Sequence, residues 1–294
     1  MSAAARTSHS LNVVGVIALV VVVAASLQAY RGYRLERPEL HPQRGAVALP
    51  ADAKLLGIRQ WRVPTTRGTI SAWFVPPHGG GTVVILHGMQ ADRSSMLTEI
   101  RALVAAGHGI VALDFPGHGE SDGVVDLVDG RIAAIKAIVD SLTHCSDVDP
   151  SRIGLLGFSF GGTTAAQYAS RDTRIRAVAI AAGPASFVGH VRFAYRNSGA
   201  LLTNGALLMY RLHSADLSQV EISESVRAIA PRPALLINGE QDSAVPPGDG
   251  RVLAQAIGPS ATVWLVHGAG HRDYAASEPL YGAHLASWFT AQLR

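Results

Sequence analysis

Gly157-Phe158-Ser159-Phe160-Gly161 sets one serine between two glycines, at a point where an apolar run, 153–156, gives way to a small-residue helical pattern. A sharp turn from strand into helix lifts such a hydroxyl clear of a sheet. Residues two positions either side then crowd the adjacent backbone, which favours glycine there. A serine ahead of a helix is otherwise a plain N-cap, and the paired glycines favour a nucleophile instead. A hydroxyl attacks near neutral pH only if a base takes its proton. His271 is assigned as that base: His267-Gly268-Ala269-Gly270-His271 follows another apolar run, and the glycines give His271 room, whereas His267 lies near enough to the run's end to be structural. An imidazole in this role is helped by a carboxylate on its far nitrogen. Asp242 of Asn238-Gly239-Glu240-Gln241-Asp242 is preferred to Glu240, since the first loop residues must turn the chain out of its strand; the ordinary alternative is a turn aspartate bonding its own backbone. Attack on a carbonyl creates an oxyanion, for which the expected donors are the backbone N–H groups of Phe160 and of Met89, in Leu86-His87-Gly88-Met89. His87 is given a structural role.

Other chemistries find little support. No His, Asp and Glu cluster has metal-ligand spacing, so neither metal nor organic cofactor is expected. Cys145 is the single cysteine, which excludes an intrachain disulfide, and it lacks a Cys-His-Asn setting. A net charge of +3, from 25 basic against 22 acidic residues with no long basic run, argues against nucleic acid as a partner.

The catalytic candidates must be positioned by the elements around them. Short apolar runs at 60–63, 69–75, 82–86, 110–113, 152–156, 175–181, 234–238 and 262–266 read as strands, the first two as an antiparallel pair. Helical patterns at about 94–106, 128–142, 161–170, 249–257 and 280–292 fill the gaps. This alternation predicts an α/β fold with a mostly parallel sheet covered on both faces. The interval 184–230 is too long for an ordinary connection, and its Phe187, Phe193, Tyr195 and Tyr210 predict a helical cap over a pocket.

Ahead of this domain, no Asp, Glu, Lys or Arg occurs between Arg6 and Arg31, and 11–29 is almost wholly apolar. That length predicts an N-terminal transmembrane helix. Val23-Ala24-Ala25 offers the alternative of a cleaved signal segment; an uncleaved anchor is preferred. Arg31, Arg34 and Arg37 beyond it lean toward a cytoplasmic domain, with the sidedness left open. The expected divisions are therefore an anchor or signal segment at 1–30, a Pro-containing linker at 31–53 and a catalytic domain at 54–294.

From about Gly57 onward the chain resembles the α/β-hydrolase superfamily, and in particular its serine-peptidase-like and monoacylglycerol-lipase-like branches. The resemblance rests on His87-Gly88-Met89, on Asp114-Phe115-Pro116-Gly117-His118-Gly119-Glu120-Ser121, on the turn around Ser159, on Gly239-Glu240-Gln241-Asp242 with Val245-Pro246, and on Gly270-His271, in the chain order Ser, Asp, His. It implies the α/β-hydrolase fold with eight strands, a Ser159-His271-Asp242 triad, hydrolysis through an acyl-enzyme, and structural roles for Asp114 and Ser121. The functional expectation is a serine hydrolase acting on a small-molecule carboxylic ester or lipid-like acyl substrate. A peptidase or amidase of the same fold is the alternative, and a non-catalytic binding protein a further one.

Overall fold

The computed structural model describes residues 3–42, 44–213 and 217–294, with side chains described from Gly15 onward except at 219 and 220. Residues 1–2 of the expected anchor, 43 of the expected linker and 214–216 of the expected cap lie outside the described residues. Ten helices are used here as labels: α1 Ala3–Glu36, α2 Ala53–Leu56, α3 Leu97–Ala105, α4 Asp129–Leu142, α5 Phe160–Arg171, α6 Phe187–Ala194, α7 Ala200–His213, α8 Asp249–Ile257, α9 Tyr274–Ser277 and α10 Tyr281–Gln292. The strands are β1 Arg59–Thr65, β2 Gly68–Val75, β3 Thr82–Leu86, β4 Gly109–Leu113, β5 Ile153–Phe158, β6 Ile175–Ala181, β7 Ala234–Gly239 and β8 Ala261–Val266.

All eight strands form one sheet in the order β1-β2-β4-β3-β5-β6-β7-β8. The pairs β1–β2 and β2–β4 are antiparallel and the remaining pairs parallel, as the apolar runs predict. β3 and β5 are buried along their whole length because helices cover both faces. Ile135, Ile138, Ala165 and Leu253 of α4, α5 and α8 pack on one face. Ile100, Leu103, Leu285 and Phe289 of α3 and α10 pack on the other.

Parallel register brings the functional loops together at one sheet edge. Leu86 pairs with Gly157, so the loop leaving β3 stands beside the turn leaving β5. Gly239 pairs with Val266, which sets the loop after β7 beside the loop after β8. Between β6 and β7, α6 and α7 rest on the sheet's edge through a cluster that includes Phe160, Phe187, Leu207, Met209 and Tyr210.

The stretch expected as a linker is organised otherwise. α1 runs on to Glu36, a 3₁₀ turn covers Arg37–Leu40, Arg44 bridges to Gly119, and Val47 is buried. Proline is compatible with the first turn of such a helix, so Pro38 punctuates the chain without freeing it.

A buried ion pair ties β4 to the start of α3. The Arg93 guanidinium, fully enclosed, meets the carboxylates of Asp114 and Glu120 and lies 5.1 Å from the Trp73 ring. Asp114 also accepts from the backbone N–H groups of Arg93 at 2.8 Å and Glu120 at 2.9 Å, while Ser121 Oγ donates to its carbonyl at 2.7 Å. Burial pushes the Asp114 carboxyl above its usual range despite the arginine, so the pair depends on that one counter-charge. Replacing Arg93 with methionine is expected to cost about 3–5 kcal/mol, because it strands a buried carboxylate. Urea unfolding of the detergent-solubilised chain, followed by tryptophan fluorescence, measures this; a loss below about 1 kcal/mol, the range of an exposed pair, would contradict it.

Candidate active site

Ser159 opens α5 with φ 54° and ψ −121°, a conformation rare for any residue but glycine. Its backbone N–H donates to Ala181 O at 2.7 Å, pinning the turn to β6. The flanking glycines are a steric requirement. A Cβ on Gly157 would lie 2.1 Å from Gly161 O, and one on Gly161 would lie 2.4 Å from His87 O. Two crowded backbones thus force the turn that presents the hydroxyl.

The loops after β7 and β8 bring two further side chains to it. His271 Nε2 lies 3.1 Å from Ser159 Oγ, and His271 Nδ1 lies 2.8 Å from Asp242 Oδ2. With Nδ1 donating to the carboxylate, Nε2 is left as the acceptor for the serine proton. Asp242 is almost fully enclosed, and its Oδ1 accepts from the backbone N–H groups of Ala244 and Val245, each at 2.8 Å. It is therefore both the turn aspartate and the partner of the imidazole, one oxygen for each task. Glu240 and His267 stand apart at the surface, 3.5 Å from each other.

These groups face a cavity of about 580 Å³, within the range of small-molecule sites. Met89 and Phe160 line it with Ser159. Phe160 is the first residue of α5, where a backbone N–H has no acceptor inside the helix and points outward. Gly88, ahead of Met89, lets its loop approach closely: a Cβ there would lie 3.2 Å from the Phe158 ring. The arrangement can remove a proton from a hydroxyl, hold the resulting imidazolium against a carboxylate, and offer backbone dipoles to a developing oxyanion.

His87 lies under this floor. Burial holds its pKa well below the ordinary value, keeping the ring neutral. One ring nitrogen is 2.7 Å from Gly88 O and the other accepts the Phe115 N–H at 3.0 Å, so it splices the loops after β3 and β4.

Several lining or supporting groups carry no signal in the sequence. Arg131 of α4 is buried with its guanidinium 4.0 Å from the Phe160 ring centre and 3.2 Å from Met89 Sδ; burial pushes its pKa down to about 9. Arg272 lies against the Phe158 ring and is held by Glu99 at 2.8 Å. Glu36 and Glu39 also face the cavity, from the stretch expected as a linker. His190 of α6 lines it too and bonds to Ala244 O at 2.9 Å, with its pKa lowered by burial.

Two sequence patterns match most of this domain, one described as the alpha/beta hydrolase fold over residues 81–201 and one described as TAP-like protein over residues 213–291. An uncharacterized protein of Mycobacterium tuberculosis is 28% identical over 88% of this chain and 88% of its own length. A 2-hydroxy-6-oxononadienedioate/2-hydroxy-6-oxononatrienedioate hydrolase of Cupriavidus pinatubonensis is 34% identical over 31% of this chain and 32% of its own. Among solved structures, a Pyrococcus furiosus esterase superposes with a TM-score of 0.70 at 20% identity, covering 86% of this chain and all of that one. Sheet order, loop placement and sequence agree: the chain belongs to the α/β-hydrolase superfamily.

Proposed function

We propose that this protein is a serine hydrolase that cleaves a carboxylic ester or lipid-like acyl substrate through an acyl-enzyme, without metal or organic cofactor. The observation that carries this reading is the unbroken hydrogen-bond chain from Ser159 through His271 to Asp242. Ser159 Oγ attacks the substrate carbonyl carbon as His271 Nε2 takes its proton, and the carbonyl oxygen gathers negative charge facing the N–H groups of Met89 and Phe160. The imidazolium, steadied by Asp242, returns the proton to the leaving alkoxide as the tetrahedral centre collapses. Water, deprotonated by the same imidazole, then frees the acyl group and restores the serine. The preference for an ester or lipid-like acyl group is supported by the side chains of Met89, Phe158, Phe160 and Phe187 in the cavity wall.

The protein is also proposed to be held at a membrane by α1, since Gly15–Leu40 contains a helix long and apolar enough to cross a bilayer. The side of the membrane on which the domain lies, and removal at Val23-Ala24-Ala25, are separate matters on which the chemistry does not depend.

A fluorophosphonate probe is expected to label Ser159 in the folded protein. His271→Ala should reduce the labelling rate strongly, and Asp242→Asn should lower ester turnover by about 10⁴-fold, because the wrong imidazole tautomer then faces the serine. No adduct on Ser159 would defeat the hydrolase reading, whereas normal labelling of His271→Ala would mean another base acts. In a panel of short-chain esters, monoacylglycerols and aminoacyl amides, turnover should favour the esters; turnover of amides alone would replace this reading with that of a peptidase or amidase. Chelators should leave the rates unchanged, and a loss restored by added divalent cation would contradict a cofactor-free mechanism.

A further inference from the structure

From Ala25 onward α1 is covered along one side, at Ala25, Ala29, Gly32, Tyr33 and Glu36, the spacing of one helix face. It packs there against α7 at backbone contact. A Cβ on Gly32 would lie 1.9 Å from Leu202 O, and one on Gly205 would lie 1.9 Å from Ala29 O. Small residues permit this closeness, and any larger side chain would wedge the helices apart. At the end of α1 the Glu36 carboxylate accepts from the hydroxyls of Tyr195 and Tyr210. One turn later Glu39 accepts from Gln90 Nε2 at 2.5 Å. Gln90 has φ 54° and directly follows Met89.

We propose that residues 25–40 belong to the substrate site, with Glu36 and Glu39 as positioning residues that set its shape and exclude anionic acyl groups. The proposal rests on the serine-hydrolase reading and adds a specificity element to it. Glu36 holds two tyrosines of the α6–α7 region against the cavity that contains Ser159. Glu39 holds the strained residue beside Met89, and through it the direction of the Met89 N–H. Both carboxylates line the cavity, whereas Arg272, the one arginine among its described lining residues, is engaged by Glu99. Burial and the nearby Glu36 carboxylate push the Glu39 carboxyl up to about 7, so above that pH a carboxylate-tipped substrate meets like charge from both groups while the lining guanidinium is already engaged. All these contacts lie at or beyond Ala25. Apart from Ala25 itself, the residues that make them remain in the chain whether the apolar stretch stays attached or is removed at Val23-Ala24-Ala25.

The test uses the full chain in detergent with 4-nitrophenyl butyrate and its hemisuccinate analogue. Two charge-assisted hydrogen bonds are at stake in Glu36→Ala, which should raise KM for the butyrate by about tenfold or more, with a much smaller change in kcat. Glu36→Gln, which keeps an acceptor for one phenol, should recover most of that loss. Tyr195→Phe combined with Tyr210→Phe should reproduce the KM increase, and supplies the same test if Glu36→Ala fails to fold. Glu39→Ala should instead lower kcat, since it acts through the Met89 loop. Glu36→Gln with Glu39→Gln should narrow the butyrate preference over hemisuccinate by about tenfold. Unchanged KM, kcat and acyl preference across these variants, with Ser159 still labelled by fluorophosphonate, would overturn the proposal and leave the hydrolase intact. Absence of the adduct in the unaltered chain would overturn the hydrolase reading, and this proposal with it.

Discussion

Ser159 is held where an L-residue does not rest of its own accord. A non-glycine residue in such a conformation costs on the order of 1–3 kcal/mol, and it persists only where its surroundings over-determine it. Here they do so from three directions. β6 accepts the Ser159 N–H, the backbone of α5 presses on Gly157, and the backbone leaving β3 presses on Gly161. Relaxing the turn would require moving two buried strands apart, so the strain is stored in a sheet that cannot yield. The hydroxyl is aimed by the core of the molecule and not by its own loop.

The same sheet explains why residues far apart in sequence meet within hydrogen-bond distance. Parallel strands end at a common edge, so each loop leaving that edge is a neighbour of the next. Ser159 follows β5, Asp242 follows β7 and His271 follows β8, while Met89 follows β3. Register supplies the coarse alignment and local bonds the fine one. Asp242 is fixed by two backbone donors before it touches His271, and the β3 loop is fixed by a neutral, buried His87. The imidazole, the group that changes charge in the proposed reaction, is more open than its carboxylate: its side chain is 30% exposed against 0% for Asp242.

What the sequence revealed and what it concealed divide along this line. Strands were legible because burial on both faces leaves a continuous apolar run that needs no knowledge of its neighbours, as in Val83-Val84-Ile85-Leu86. The glycines around Ser159 were legible because a steric demand there is local. Glu36 was not, since a glutamate at a helix end resembles any solvated charge, and its partners Tyr195 and Tyr210 lie 159 and 174 positions away. Arg131 reads as an ordinary surface residue of an amphipathic helix, and only the placement of Phe115 and Phe160 around it shows it to be enclosed. The prolines at 38, 42 and 50 suggested a free linker; proline stops hydrogen bonding by one residue, which does not prevent a chain from lying along a surface.

The packing of α1 on α7 changes how the parts of this molecule depend on each other. The helix that carries the apolar stretch ends as a wall of the cavity, so the two are parts of one continuous element. A helix rises about 1.5 Å per residue, so the apolar stretch 11–29 extends roughly 28 Å, close to the hydrocarbon thickness of a bilayer, and its last turn already lies against α7. If that segment spans a membrane, no slack separates it from the residues that touch α7, and the α6–α7 region is held against the membrane surface. Leu201, Leu208 and Leu212 of α7 are all at least 48% exposed, which is costly in water but not beside lipid. Apolar exposure on α7 and close small-residue packing on α1 both fit that arrangement, in which the helix passes from its apolar stretch into the folded domain without a break.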